Sequence, residues 1–219
     1  MGYIFSSSIG KKLVMSISGT FLMVFLIVHA GANFLILFGA ENYNEVCRFM
    51  DTNILIQIMV PVLALGFMVH IVYAVYLTYN NWKARGTQAY AVATKTKASE
   101  WEAKNMFILG VIVIGFLALH LCHFWAKMQL QHFIGGHAAE DAYALASELF
   151  SNPLYCIIYI VWIVALWFHL RHGFWSVLQT AGLNNIKWLR RLKGISLIYA
   201  TIIALTFITV PVFFLLGLN

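Results

Sequence analysis

Five long runs of apolar residues restrict this chain to very few kinds of fold. They cover about residues 13–38, 54–79, 106–126, 153–178 and 195–218. A bilayer core of about 30 Å takes about 20 apolar residues per helical span, so each run is long enough to cross it. Charged residues make up only 10% of the sequence, against about 25% in an average soluble domain. The sequence therefore predicts an all-α integral membrane bundle of five transmembrane helices.

The five runs and the short segments between them account for the whole chain. They leave no room for a soluble catalytic domain, so we expect one transmembrane domain over residues 1–219. The first run has no A-x-A-like cleavage site after it, which predicts a retained helix rather than a cleaved signal peptide. Cys47, Cys122 and Cys156 form no C-x-x-C pair, and they leave the redox compartment open.

Basic residues collect in three of the segments outside the apolar runs. Residues 1–12, 80–105 and 171–194 hold twelve of the fourteen Lys and Arg residues, whereas the other two connections are acidic. The positive-inside rule then predicts a cytoplasmic N-terminus, with Asn219 outside. We expect a multi-pass protein of the inner (cytoplasmic) membrane. Because topology explains the basic bias, no nucleic-acid partner is expected, although the basic loops suit an acidic soluble protein.

Four histidines lie inside four of the predicted helices. An ionisable side chain within a membrane is costly and normally faces a partner in the bundle interior. At a rise of 1.5 Å per residue, His29 and His120 fall about 13 and 10 Å from the outer ends of their helices. His70 and His169 fall about 13 Å from the inner ends of theirs. The four histidines thus form two pairs at two depths, about 10 Å apart.

Two neutral imidazoles from different helices are the ligands that haem b takes in a helix bundle. The sequence therefore predicts an outer haem b held by His29 and His120, and an inner haem b held by His70 and His169. Hydrogen bonding between helices is the alternative for such histidines. A proton relay is less favoured because the predicted span cores lack Asp and Glu, and the pairs lie too far apart to gather around one zinc or copper ion.

Two further histidines leave the choice of ligand open within each pair. His123 and His172 each follow a proposed ligand by three residues and so lie on nearly the same helix face. We favour His120 and His169 because they lie deeper in the membrane. The residues nearer the interface are candidates for hydrogen bonds to haem propionates. For Lys127 and Arg171 the alternative is that the side chain snorkels from a helix end to the membrane surface. These candidates are His123, His172, Lys127 and Arg171.

Several segments resemble one family of membrane proteins. They are similar to segments of the dihaem cytochrome b anchors of succinate:quinone oxidoreductases. The segments are SSSIGKKLVMSISGTFLMVFLIVHAGANFLILFG with NYNEV behind it, HLCHFW, and FHLRHGFWSVLQTAG. That group comprises succinate dehydrogenases and fumarate reductases. The resemblance covers nearly the whole chain and implies axial ligand roles for the same four histidines. It also implies that Ser16 lies near the propionates of the inner haem.

The resemblance implies partners as well. These are a flavoprotein with covalent FAD and an iron–sulfur protein, both on the cytoplasmic face. The chain would carry electrons between the iron–sulfur subunit and a membrane quinone, menaquinone by analogy. Asn33 and Asp51 lie near the outer surface and are quinone-site candidates, although either residue alternatively caps a helix end. The anchor itself leaves open whether succinate is oxidised or fumarate is reduced.

Two other functions remain as alternatives at this point. The cytochrome b subunit of a hydrogenase or formate dehydrogenase also holds two bis-histidine haems in a helix bundle. A transporter or scaffold without haem would share the five spans but not the need for paired histidines.

Overall fold

Eight α-helices form the part of the chain that the computed structural model describes, which is residues 7–85, 101–137, 139, 141–183 and 185–218. They are α1 (Ser8–Phe34), α2 (Ala40–Thr52), α3 (Ile54–Arg85), α4 (Trp101–His120), α5 (Gln129–Ile134), α6 (Ala142–Phe150), α7 (Pro153–Thr180) and α8 (Ile186–Leu215). A 3-10 turn at Leu35–Phe38 extends α1, and a π-helical turn at Leu121–Trp125 extends α4. These ranges contain no β-strand.

The five long helices confirm the predicted all-α, multi-pass fold. Each is long and apolar enough to cross a membrane: Ile9–Phe38, Ile54–Ala84, Trp101–Trp125, Pro153–Thr180 and Ile186–Leu215. The last helix begins nine residues earlier than its apolar run, because Lys and Arg are good helix formers and Asn185 caps the helix. Which end faces the cytoplasm stays a prediction. Some charges used for it lie outside the described residues, namely Lys95, Lys97, Glu100 and Glu140, as does Asn219.

Side-chain caps fix where α6 and α7 begin. Asp141 accepts a hydrogen bond from the Ala144 amide at 2.8 Å and another from Asn44 of α2 at 2.9 Å. These donors favour the charged carboxylate and lower the pKa of Asp141. Asn152 caps α7 and is followed by Pro153 at the first helical position, where a missing N–H costs nothing. The two segments predicted as acidic loops are therefore partly helical.

The long helices pack in a defined order. α1 lies between α3 and α7, and α7 in turn lies against α4, while α3 and α4 meet only slightly. α8 packs along α7 and also contacts α1. In this order α1 and α4 stand at opposite corners of a four-helix arrangement, and α3 and α7 stand at the other two corners.

Buried side chains concentrate on one side of the bundle. One cluster joins α7 and α8 to α6 and to the 3-10 turn after α1, and contains Ile36, Phe150, Cys156, Tyr159 and Phe214. By contrast, none of the residues 54–84 of α3 is buried. In α4, burial is confined to Glu102 and Leu109. The α7–α8 pair is thus the tightly packed part of the bundle, whereas most side chains of α3 and α4 are half-buried or exposed.

One glycine sets the closest approach between α1 and α3. A Cβ atom on Gly66 would lie 2.7 Å from Cε1 of Phe21, a distance that real Cβ contacts do not reach. The Phe21 ring therefore occupies the place of a side chain on Gly66. Gly66 lies one helical turn before His70, so this contact also fixes the height of His70 against α1.

Candidate functional site

The outer histidines meet across the bundle. The ring centroids of His29 in α1 and His120 in α4 are 5.8 Å apart, with an interplanar angle of 83°. Aromatic side chains surround them: Phe25 stacks on His29 at 5.2 Å, and Phe124 lies 5.3 Å from His120. Phe207 of α8 adds a contact to His29 at 5.6 Å. The structure thus brings together the two residues that the sequence assigned to the outer pair.

The inner histidines meet in the same way on the other diagonal. The ring centroids of His70 in α3 and His169 in α7 are 6.3 Å apart, with an interplanar angle of 66°. Glycines flank both rings, since a Cβ on Gly19 would lie 3.6 Å from Cε1 of His70 and one on Gly110 would lie 3.8 Å from Cε1 of His169. The helix positions next to both rings are thus occupied by the smallest residue.

The two pairs lie at clearly different heights. Ser18 of α1 lies level with His70, at 3.4 Å from its Nδ1, and His29 follows eleven residues later in the same helix. Eleven residues correspond to about 16 Å along the helix axis. Counting residues from the ends of the apolar runs predicted a separation of about 10 Å between the two pairs. The difference arises because the helices are longer than their apolar runs.

The spacing of each pair suits two ligands on opposite sides of one iron. A metal–nitrogen distance of about 2 Å on each side places the two imidazole centres about 6 Å apart. The observed 5.8 and 6.3 Å match that value. Nδ1 of His120 and Nδ1 of His169 are both buried, and neither has a hydrogen-bond partner within the described part of the chain. Buried polar atoms normally have one.

A metal site built only from protein ligands does not fit. Within the described residues, no group of three or more His, Cys, Asp or Glu side chains is close enough to hold an ion. Zinc sites take three or four protein ligands. A pair of histidines needs a macrocycle to supply the remaining ligands, and that is what haem provides.

Polar groups next to the ligand candidates orient two of the rings. The Ser18 hydroxyl donates to the carbonyl of Met15 at 3.1 Å, which leaves its oxygen to accept from Nδ1–H of His70. The Asn33 amide donates to the His29 carbonyl at 2.8 Å and lies 3.5 Å from Nδ1 of His29. Such contacts fix the orientation of metal-ligating histidines in general. Asn33, predicted for the quinone site, is thus placed beside the outer pair.

Sequence reasoning singled out Ser16 and missed Ser18. Ser16 is buried in the first third of α1, and its carbonyl accepts from Thr20 at 2.9 Å. Ser18 is the serine that contacts His70. The sequence does contain a signal for Ser18. It precedes His29 by eleven residues, or about three helical turns, and so lies on the same face of α1 as that histidine. The propionate role of Ser16 stays a prediction.

The neighbouring histidines have other contacts. Nδ1 of His123 lies 2.9 Å from the hydroxyl of Tyr159, and the two rings are stacked. The His172 ring meets Trp175 edge to face, with centroids 4.9 Å apart. In the described structure the opposed histidine pairs are therefore those of the deeper residues His120 and His169.

Arg171 has a buried acidic partner, Glu102, which the sequence predicted to lie in the segment between the second and third helices. Its guanidinium lies 3.2 Å from the carboxylate of Glu102, whose side chain is 5% exposed, and it also lies over the ring of Trp167. Glu102 belongs to the first turn of α4, because the helix begins before the apolar run does. Arg171 follows His169 by two residues, or about 200° around α7. It therefore lies on the opposite side of α7 from His169.

The remaining candidates lie at the other end of the bundle. Lys127 is exposed just beyond the π-helical turn. The Gln129 amide donates to Asp51, and the other amide atom, Oε1, is buried without a hydrogen-bond partner in the described residues. Burial raises the pKa of the Cys47 thiol to about 11, and the charge of Asp51 acts in the same direction. Asp51 was predicted from the sequence as a quinone-site residue and Gln129 was not, and the quinone role of Asp51 stays a prediction.

Comparisons with known proteins add one relative. No family model and no solved structure matches the chain. The chain is 25% identical over 162 residues to the succinate dehydrogenase cytochrome b558 subunit of Bacillus subtilis (strain 168). The aligned region covers 74% of this chain and 73% of that protein. The resemblance to succinate:quinone oxidoreductase anchors is thereby confirmed as a distant sequence relationship to a cytochrome b subunit of a succinate dehydrogenase.

Proposed function

We propose that this chain is a dihaem cytochrome b that anchors a succinate dehydrogenase or fumarate reductase in the membrane. In this role it carries electrons between the iron–sulfur subunit and a membrane quinone. The observation that carries the proposal is the presence of two opposed histidine pairs at two heights, each with the spacing of two ligands of one iron. The name of the Bacillus subtilis relative supports the kind of complex.

The side chains have distinct tasks in this proposal. His29 with His120, and His70 with His169, hold haem b, which when bound supplies one-electron carrier chemistry. Ser18 hydrogen-bonds the ring of His70 and keeps its other nitrogen available as a ligand. The phenylalanines around the outer pair exclude water from the ligand nitrogens. Burial and hydrogen bonding of this kind are the means by which a protein sets haem potentials.

The cytoplasmic partners in this proposal are a flavoprotein with FAD and an iron–sulfur protein. The first turns of α8 present Lys187, Arg190 and Arg191, all exposed, at the end of the bundle that carries the inner pair. Exposed basic residues steer and orient an acidic soluble protein. The proposed orientation places these residues and the inner pair on the side where the iron–sulfur protein would bind.

The proposal is tested by counting haem in the purified full-length chain. We expect a b-type α-band in the reduced-minus-oxidised spectrum and two haems per polypeptide by pyridine haemochrome assay. A colourless preparation would instead support a transporter or scaffold. Co-purified subunits separate the remaining rival, because a nickel or molybdenum enzyme would indicate a hydrogenase or formate dehydrogenase, whereas a flavoprotein supports the present proposal.

We place the quinone site at Asp51 and Gln129, near the outer pair. The buried Oε1 of Gln129 has no partner within the described residues and suits a quinol hydroxyl as donor. The adjacent Asp51 carboxylate is the group positioned to take up the quinol proton. Asn33 lies one helical turn beyond His29 in α1 and donates to the His29 carbonyl. Menaquinone is the quinone that the family resemblance implies.

Asp51→Asn should slow quinol oxidation by about a hundredfold, because a positioned acid–base group contributes about 10²–10⁴ to a proton transfer. The haem content should stay at that of the wild-type complex. Glu45→Gln is the matched control, since Glu45 is an exposed acid of the same helix α2. Quinol-dependent reduction of the haem spectrum measures the rate directly. Equal rates in Asp51→Asn and Glu45→Gln would remove Asp51 from the quinone site.

A further inference from the structure

A buried carboxylate is paired with α7 two residues beyond one of the inner histidines. The side chain of Glu102, in the first turn of α4, is 5% exposed, and its carboxylate lies 3.2 Å from the guanidinium of Arg171. Arg171 follows His169 by two residues in α7. None of the tasks proposed above for the anchor uses this ion pair.

Two further contacts hold the same side of α7. The indole Nε1–H of Trp167 donates to the Thr201 hydroxyl of α8 at 3.0 Å. The Ser196 hydroxyl, also on α8, donates to the Arg171 carbonyl. The Arg171 guanidinium in turn lies over the Trp167 ring, with Cζ 5.4 Å from the centroid. We call the Arg171–Glu102, Trp167–Thr201 and Arg171–Ser196 contacts the rear contacts of α7.

The rear contacts lie behind His169. Trp167 precedes His169 by two residues and Arg171 follows it by two, so each lies about 160° around the helix from His169. The His169 ring faces His70, and the rear contacts are therefore on the face of α7 that is turned away from His70. They join α7 to two different helices, α4 and α8.

The rotation of α7 about its axis decides which histidine faces His70. His172 follows His169 by three residues, which places the two about 60° apart around the helix. A rotation of that size would turn His172 towards His70 and His169 away from it. In the structure His169 faces His70, whereas the His172 ring contacts Trp175.

Contacts with a definite direction are needed to fix such a rotation inside a membrane. Apolar side chains gain little from touching another helix instead of lipid, so apolar packing specifies a rotation only weakly. A buried ion pair adds little stability over apolar side chains of similar volume, and its best-attested use is to fix register. The Glu102–Arg171 pair and the hydrogen bonds from Trp167 and Ser196 supply this direction.

We propose that Glu102, Arg171 and Trp167 are positioning residues that fix the rotation of α7. They thereby select His169 rather than His172 as the ligand opposite His70. This inference rests on the proposed haem function of the inner pair, and it adds what decides between the two histidines that spacing alone leaves open. Each of the three residues acts through α7 and not on the ligand nitrogen.

The test is EPR spectroscopy of the oxidised full-length protein. The low-field signal of a bis-histidine haem depends on its axial ligands and on the angle between their imidazole planes. The wild type should give one signal for the inner haem. Glu102→Ala should add a second signal, because His172 becomes the ligand in part of the molecules. Addition of His172→Gln to Glu102→Ala should remove that second signal, and Glu102→Asp, which keeps the carboxylate, should keep the single one.

Lys104→Ala is the matched control. Lys104 is an exposed charged residue close to Glu102 in α4, and its loss should leave the EPR spectrum unchanged. Thr201→Val removes the acceptor of the Trp167 N–H on α8 and should also produce the second signal. This variant keeps the proposal testable if Glu102→Ala does not fold. A pyridine haemochrome assay reports the haem content of each variant.

Three results would overturn the proposal while leaving the proposed function intact. Two haems with an unchanged spectrum in both Glu102→Ala and Thr201→Val would mean that the rear contacts do not fix the rotation of α7. A second signal that persists after His172→Gln would mean that His169 stays the ligand. Loss of the inner haem without a second signal would mean that Glu102 only stabilises the bundle. A wild-type protein without haem would overturn the proposed function, and this inference with it.

Discussion

His169→Ala is expected to lower the haem content of the chain from two to one. His169 and His70 face each other at 6.3 Å in the inner pair, and either one alone would leave a haem at this site with only one of its two histidine ligands. The pyridine haemochrome assay gives the count, and a redox titration should then show one component in place of two. His70→Ala should give the same result, and the double variant should lose no more, because both residues serve the same site.

The matched control for this prediction is His172→Gln. His172 lies three residues beyond His169, and its ring contacts Trp175. We expect this variant to keep two haems per chain. Retention of both haems in His169→Ala, together with loss of one in His172→Gln, would transfer the ligand role to His172 and contradict the assignment made here.

Gly66→Ala is expected to destabilise the bundle by about 1–3 kcal/mol, the usual cost of an added methyl in a filled contact. The new Cβ would lie 2.7 Å from Cε1 and 2.8 Å from Cδ1 of Phe21, so the ring has to move or α1 and α3 have to separate. His70 follows one turn later, and we therefore expect weaker retention of the inner haem as well. Thermal unfolding in detergent, followed by fluorescence and haem absorbance, measures both effects.

Gly115→Ala provides the control for this substitution. Gly115 lies inside α4, and nothing lies within 4 Å of the position that its Cβ would take. Alanine is a better helix former than glycine by about 1 kcal/mol, so this variant should be as stable as the wild type or more stable. If Gly66→Ala behaved like Gly115→Ala, the close contact between α1 and α3 would not contribute to stability. Restoration of stability by Phe21→Leu in the Gly66→Ala background would identify the ring as the cause.

Hydropathy and depth were enough to predict the main features of this molecule. Apolar length alone gave the five long helices, because a bilayer requires it of any helical span. The helical rise then placed His29 with His120 and His70 with His169, and these are the rings that face each other in the structure. The orientation in the membrane and the haem ligand roles stay predictions.

The features that were missed depend on packing between helices. Hydropathy began the third run after Glu102, although a charged residue in a first helical turn does not stop a helix and Glu102 is buried against Arg171. The contacts of Ser18 with His70 and of Gln129 with Asp51 join residues far apart in the chain. The π-helical turn after His120 rotates His123 towards Tyr159. Nothing in a single sequence gives the rotation of a helix about its axis.

The two histidine pairs are spaced by single continuous helices. Both heights are marked on α1 by Ser18 and His29, and on α7 by His169 and by Tyr159, whose ring contacts His120. The rise per residue fixes each of these intervals at about 15–16 Å. A bilayer that becomes thinner or thicker with growth temperature tilts a bundle or deforms around it, at a modest cost. The separation between the two histidine pairs is therefore independent of hydrophobic mismatch.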